Sequence, residues 1–135
     1  MKLWHLPLRL AAGAFILNSG ADKRDAPPEA AAGMHGMAAT AYPQLEDQDP
    51  VRFVDRLSKA EMALGGALLT PFVPTRLVAA PLTGFAAGLI GLYLRVPGMT
   101  KPDSIKPTQD GTAIAKDVWL LGIGLAFLAD LVTSD

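Results

Sequence analysis

Four ionisable residues lie in or beside apolar stretches of the sequence and are the first candidates for chemistry. They are Arg9, Lys23, Glu61 and Arg76. A charged group at membrane depth is costly, so it usually faces protein or a water-filled cavity and finds a partner. We therefore predict that Glu61 pairs with Arg9 or Lys23. Two alternatives stay open: these side chains reach to the head-group level of a membrane with no specific role, or Glu61 has a function of its own.

Ligands for a metal or a haem are few. His35 lies between Met34 and Met37, and imidazole with thioether groups suits Cu(I). Methionine also fills gaps between helices, and three ligands on one short connection do not define a site. His5 has no matching histidine in another helix, so a haem held by two histidines is not expected. We predict no metal and no cofactor, while contact with lipid or quinone stays open.

Enzymatic chemistry has little support in the sequence. Cysteine is absent, which excludes disulfides, thiolate chemistry, iron–sulfur ligation and covalent haem attachment. No nucleophile is arranged with a base and an oxyanion site, and no phosphate-binding loop is present. The net charge of −1 gives no argument for nucleic acid as a partner. We therefore expect a protein that is not an enzyme.

The distribution of charge points to lipid as the surrounding solvent. Half of the 135 residues are hydrophobic and 19% are charged, against about 25% charged in soluble chains. The charges concentrate in residues 22–61 and 95–117. The sequence therefore predicts an all-α integral membrane four-helix bundle, with residues 1–135 forming a single domain and helices over about 3–20, 50–70, 74–96 and 112–132.

The helix boundaries follow from breakers, caps and apolar length. Residues 77–94 carry no charge, and a span needs about 20 mostly apolar residues. Pro71 and Pro74 separate this helix from the preceding one, which Asp49 and Pro50 begin as N-cap and first residue. We interpret 3–20 as a retained membrane helix and not a signal peptide, because Arg9 falls where the apolar region should have begun.

The polar connection over 22–49 is rich in alanine, glycine, proline and acids. We expect it to carry a short helix on the surface of the bundle, ending near Pro43. In the last helix, Trp119 is expected to anchor one interface and Asp130 to mark the other.

Small residues recur along all four predicted membrane helices. Such residues let helices approach closely in lipid. The candidates for helix packing are Gly13, Gly65, Gly84, Gly88 and Gly122.

Basic residues predict an orientation in the plasma (inner) membrane. An up-and-down topology places Lys2, Arg9 and Arg76 on one side and the other nine basic residues on the opposite side. The positive-inside rule then puts the long loops in the cytoplasm and both termini outside, in a multi-pass arrangement.

The segments "LRLAAGAFILNSGADK" and "AEMALGGALLTPFVPTRLVAA" resemble the DoxX-like family of small four-helix membrane proteins. The residues that match its pattern are Arg9, Gly13, Gly20, Lys23, Glu61, Gly65, Thr75 and Arg76. The resemblance covers about a third of the chain and implies a four-helix bundle with a loose link to quinone- or thiol-related redox chemistry. In size and character the chain is also similar to an association-factor accessory subunit of actinobacterial respiratory supercomplexes.

We expect a non-catalytic accessory subunit of a larger membrane complex, foremost a respiratory supercomplex of the cytochrome bcc–oxidase type. Its partners would be larger membrane-embedded subunits and lipids. One alternative is a DoxX-type membrane oxidoreductase or quinone-handling protein that uses Glu61 and Arg76. Another is a small proton-coupled transporter with Glu61 as the relay.

Overall fold

A computed structural model describes residues 2–102, 104–109 and 111–133. Over these residues the chain is all-α and holds no strand, which confirms the all-α part of the predicted fold class; the predicted domain 1–135 also includes five positions outside them. The helices are α1 (His5–Lys23), α2 (Pro28–Ala41), α3 (Pro50–Leu69), α4 (Thr75–Arg95), the single turn α5 (Thr112–Ala115) and α6 (Val118–Thr133). A short 3-10 helix over Pro43–Leu45 follows α2.

Helix α3 begins and ends where its caps and breakers lie. The Asp49 carboxylate accepts a hydrogen bond from the backbone N–H of Arg52 at 3.0 Å, and Pro50 is the first helical residue. Proline suits this position because its missing N–H would have no partner in the helix anyway. Pro74 precedes α4, so the apolar region forms two helices joined by a tight turn.

The helix predicted over 112–132 is interrupted, which corrects that prediction. After α5 the backbone tightens, and the N–H groups of Asp117, Trp119 and Leu120 each bond to a carbonyl three residues earlier. This turn separates two neighbouring side chains. Lys116 is exposed, with Nζ 5.3 Å from the centre of the Phe15 ring, while Asp117 is buried.

The helices pack as two pairs. Helix α1 has its most extensive contact with α3, and α4 packs mainly against α6, while α2 lies against α3 and α4. The core lies where the two pairs meet. Its buried residues are Ala12, Ile16, Leu68, Val78, Ala79, Leu82, Ala86, Leu120 and Phe127.

Among the described residues, α4 is the one helix long and apolar enough to cross a membrane. Only 28% of its most apolar 18-residue window is buried within the chain. Helix α6 is also apolar but has 16 residues. Large apolar side chains such as Leu77, Leu94 and Trp119 are exposed on these two helices.

Candidate functional site

A cluster of polar side chains joins α1, α4 and α6 at one end of the helices, and we call it the His5 cluster. It consists of Lys2, His5, Arg9, Thr75 and Asp130. The His5 ring lies 3.0 Å from the Thr75 hydroxyl through Nδ1 and 3.0 Å from the Asp130 carboxylate through Nε2. Lys2 donates to the other Asp130 oxygen at 2.6 Å, and Arg9 donates to the Thr75 hydroxyl at 3.3 Å.

The donors and acceptors fix one consistent pattern for neutral His5. Arginine can only donate, so the Thr75 oxygen accepts from Arg9. The single Thr75 proton is then available for Nδ1 of His5, and Nε2–H of His5 donates to Asp130. The cluster is therefore a continuous chain of hydrogen bonds from one helix pair to the other.

Arg9 is fully buried and binds the end of α3. Its guanidinium donates to the carbonyls of Leu68 at 3.1 Å, Ala67 at 2.8 Å, Thr70 at 3.0 Å and Val73 at 2.7 Å. The last carbonyls of a helix have no partner within it and carry partial negative charge. Arg9 supplies both the donors and the positive charge that this helix end requires.

The second polar group, which we call the Glu61 cluster, lies toward the opposite end of α1. The Lys23 ammonium is 3.0 Å from the Glu61 carboxylate and also donates to the Ser19 hydroxyl at 2.7 Å. Glu61 is 3% exposed. Nearby, the Ser58 hydroxyl donates to the carbonyl of Gly20 at 2.7 Å. The cluster thus links the end of α1 to the middle of α3, and Lys23, not Arg9, is the partner of Glu61.

Asp117 belongs to the same cluster, but among the described residues its carboxylate has no hydrogen-bond partner like that of Glu61. It lies just before α6 and is 7% exposed. None of the described residues donates a hydrogen bond to its carboxylate. Burial raises the pKa of Asp117; Lys116 opposes this effect, Glu61 adds to it, and Lys23 again opposes it. The site therefore holds a carboxylate that receives no hydrogen bond from the described residues and whose pKa is raised.

Arg76 does not join Glu61. It is exposed beside the His5 cluster, in a shallow depression that it shares with Lys2, His5 and Asp130. Along α1, the positions of Arg9 and Lys23 are separated by about 21 Å at 1.5 Å per residue. Of the two residues proposed for an oxidoreductase site, Glu61 therefore belongs to the Glu61 cluster and Arg76 lies beside the His5 cluster.

The glycines predicted for helix packing fall into two groups. A Cβ atom on Gly65 would lie 2.5 Å from the backbone nitrogen of Leu17, and one on Gly13 would lie 2.9 Å from Cβ of Leu68. These two glycines permit the close approach of α1 and α3. Gly84, Gly88 and Gly122 differ, since their Cβ positions have no described atom within 4 Å outside their own helix and adjoining residues.

Gly84 and Gly88 line a cleft of about 440 Å³ that ends at the Glu61 cluster. Helices α1 to α4 form most of its wall, and Asp117 closes part of it. The wall is largely apolar, and its charged residues are Lys23, Glu61 and Asp117. An apolar cleft with a few convergent polar groups is the usual form of a small-molecule site.

His35 makes contacts that stabilise the fold. It is 8% exposed, its Nε2 lies 2.8 Å from the Leu45 carbonyl, and its ring packs edge-on against Phe53 at 5.4 Å. Met34 and Met37 face the cleft. Within the described part of the chain, no group of three or more histidine, cysteine, aspartate or glutamate residues could hold a metal ion.

Sequence reasoning missed the roles of His5, Asp117 and Asp130. The sequence predicts no partner for His5 and only an interface position for Asp130. One feature of the sequence indicates that His5 and Asp130 lie close together. The predicted up-and-down topology brings the beginning of the first helix and the end of the last helix to the same side. Asp117 had no comparable signal, because its burial depends on the turn before α6.

Comparison of the chain with protein-family models, curated proteins and solved structures gives no significant match. The DoxX-like resemblance therefore remains a prediction from the motif residues. Those residues nevertheless have a common location. All eight lie on α1, α3 or the first turn of α4, the helices that Arg9, Lys23 and the two closely packed glycines hold together.

Proposed function

We propose that this chain is a non-catalytic accessory subunit of a larger membrane complex, embedded in the plasma membrane by several helices. The observation that carries the proposal is the outer surface of α4. Its 18-residue window is strongly apolar, yet only 28% of it is buried within the chain. A core helix of a water-soluble protein would be mostly covered, so this surface requires lipid or another apolar protein.

The helix lengths support insertion of α4 and its neighbours. The 21 residues of α4 extend about 31 Å, close to the roughly 30 Å hydrocarbon thickness of a bilayer. Helices α1 and α3, with 19 and 20 residues, are similar in length. The 16 residues of α6 extend about 24 Å, which a tilted bundle and local thinning of the bilayer accommodate.

The polar contacts support a structural role in preference to catalysis. Arg9 is used to bind the end of α3, and Lys23 is used to bind Glu61. These contacts hold α1 against α3, and His5 links α1 to α4 and α6, which leaves the outer faces of these helices for partners. Larger membrane-embedded subunits and lipids are the proposed partners, and the resemblance to an association-factor subunit supports a respiratory supercomplex of the cytochrome bcc–oxidase type.

The alternatives based on Glu61 have less support. An oxidoreductase site using Glu61 and Arg76 needs both residues at one substrate, but Glu61 pairs with Lys23 while Arg76 lies beside the His5 cluster. A proton relay needs Glu61 to exchange protons with water, whereas Glu61 is buried against Lys23.

Native mass spectrometry of a gentle membrane extract containing the tagged full chain tests the assembly. We expect the chain to co-purify with larger membrane subunits, and its deletion to impair assembly of that complex without abolishing the chemistry of the other subunits. Purification only as a free monomer would overturn the proposal.

The absence of cysteine permits a clean test of membrane orientation. Single substitutions Gln44→Cys and Gln109→Cys should resist an impermeant maleimide in intact cells, whereas Leu3→Cys and Thr133→Cys should react. Equal labelling of all four variants in intact cells would contradict the multi-pass topology with external termini.

A further inference from the structure

The cleft beside the Glu61 cluster has the shape and chemistry of a binding site that the accessory role does not use. Its volume of about 440 Å³ lies within the range of roughly 300–1,000 Å³ found for small-molecule sites. Aromatic and aliphatic side chains form its long walls, including Phe15, Phe85 and Leu89. The polar groups are concentrated toward Lys23, Glu61 and Asp117, so the cleft is amphipathic.

The polar end contains more acceptor than donor capacity. Lys23 is already bound to Glu61 and to Ser19, and no described residue donates to Asp117. Lys116 is exposed and faces a neighbouring groove without contributing to this cleft. No fully buried side-chain oxygen among the described residues lacks a hydrogen bond, so the Asp117 oxygens keep some accessible surface that a bound donor can reach. Burial also raises the pKa of Asp117, and the charges of Lys116 and Lys23 only partly oppose this effect.

The apolar end exists because two residues have no side chain. Gly84 and Gly88 lie one helical turn apart on α4, and the space beside each Cβ position is empty. Tyr42 contacts this face at one edge, where its hydroxyl donates to the Gly88 carbonyl at 2.6 Å. A Cβ atom at residue 84 or 88 would meet no described atom within 4 Å beyond its own surroundings in the helix.

We propose that this cleft binds a single-chain amphiphile with an amine head group, the chain lying along Gly84 and Gly88 and the ammonium donating to Asp117 and Glu61. The ammonium would donate hydrogen bonds to Asp117, which receives none from the described residues, and would add a second positive charge beside that of Lys23. The inference does not depend on partner subunits, since every group involved belongs to this chain.

Native mass spectrometry and thermal shift of the full chain in a maltoside detergent test the proposal, with dodecylamine as probe and dodecanoate as its charge-reversed control. We expect dodecylamine to bind at one site and to raise the melting temperature, and dodecanoate to bind at least tenfold more weakly. Gly84→Leu and Asp117→Asn should each weaken dodecylamine binding at least tenfold.

Gly122→Leu is the matched control, because its Cβ position is equally open but Gly122 does not line the cleft. This variant should bind dodecylamine like the wild type. Equal binding by all variants, or equal binding of dodecanoate, would show simple partitioning onto the apolar surface and overturn the proposal. In the absence of probe, the Asp117→Asn variant should melt no lower than the wild type. Its weaker binding of dodecylamine would then reflect loss of the site and not loss of folding.

Lysophosphatidylethanolamine identifies the source of the amine. Competition with dodecylamine would support a site for an amine-bearing lipid head group. Failure to compete, with dodecylamine binding still dependent on Gly84 and Asp117, would support a site for a free long-chain amine.

Discussion

The His5 ring and the Thr75 hydroxyl lie 3.0 Å apart although 70 positions separate them in the chain. Both residues are 3% exposed. The contact joins the first turn of α1 to the first residue of α4, and it continues to Asp130 on α6 and to Arg9. A single hydroxyl thus connects the polar side chains that hold three helices together at this end.

Replacing Thr75 with valine should destabilise the chain. Valine has nearly the same shape but removes the hydroxyl, leaving His5 and Arg9 each without one buried partner. Leaving the buried Nδ1 of His5 without its partner costs about 1–3 kcal/mol. Thermal unfolding in detergent measures the loss. Thr75→Ser, which keeps the hydroxyl, should lose clearly less stability, and a valine variant as stable as the serine variant would refute the role of the hydroxyl.

Arg9→Lys should be among the most damaging conservative changes. A lysine ammonium cannot present the planar, five-donor geometry of the guanidinium. Several carbonyls at the end of α3 would then lose their donors, at about 1–3 kcal/mol for each buried group left unpaired. We expect poor accumulation or a strongly lowered melting temperature. Arg76→Lys, at an exposed position, should behave like the wild type; similar effects from both changes would contradict the role of Arg9 at the end of α3.

Two neighbouring glycines should respond in opposite directions to alanine. A methyl group on Gly65 would lie 2.5 Å from the Leu17 backbone nitrogen, whereas one on Gly66 meets no described atom within 4 Å beyond its own surroundings in the helix. Gly65→Ala should force α1 and α3 apart and cost about 1–3 kcal/mol. Gly66→Ala should stabilise the helix by about 0.5–1 kcal/mol. Melting temperatures that move in the same direction would refute this packing.

Asp117→Asn should raise stability in a pH-dependent manner. Because burial raises the pKa of Asp117 in the folded state, the folded chain retains the proton more strongly than the unfolded chain. The wild type therefore loses stability as the pH rises from the unfolded pKa through the folded pKa. The variant, which carries no charge at this position, should have the higher melting temperature at neutral pH. The difference should shrink toward about pH 4, near the ordinary carboxyl pKa.

A melting-temperature difference for Asp117→Asn that is constant from acid to neutral pH would contradict burial of the charged carboxylate as the cause. The control is Asp55→Asn, since Asp55 is exposed and paired one turn away with Lys59 at 3.0 Å. This change should have little effect at any pH, as expected of surface ion pairs.

Local signals in the sequence are enough to predict the helical class and several helix boundaries. Asp49 followed by Pro50 marks the start of α3, and Pro71 and Pro74 prevent it from continuing into α4. These signals are local, because a cap or a proline acts through the backbone of its own turn. The sequence predicts that Glu61 pairs with Arg9 or Lys23, and the structure contains the pair with Lys23.

Which polar groups meet, and which small residues are in contact, depends on how the helices pack against each other. Arg9 binds the α3 carbonyls instead of Glu61, His5 reaches Thr75 and Asp130, and Gly84 and Gly88 face a cleft while Gly13 and Gly65 lie between helices. A residue's type and spacing fix the face of the helix on which it lies. The rotation and crossing of the helices, set by packing of the whole core, decide what that face meets.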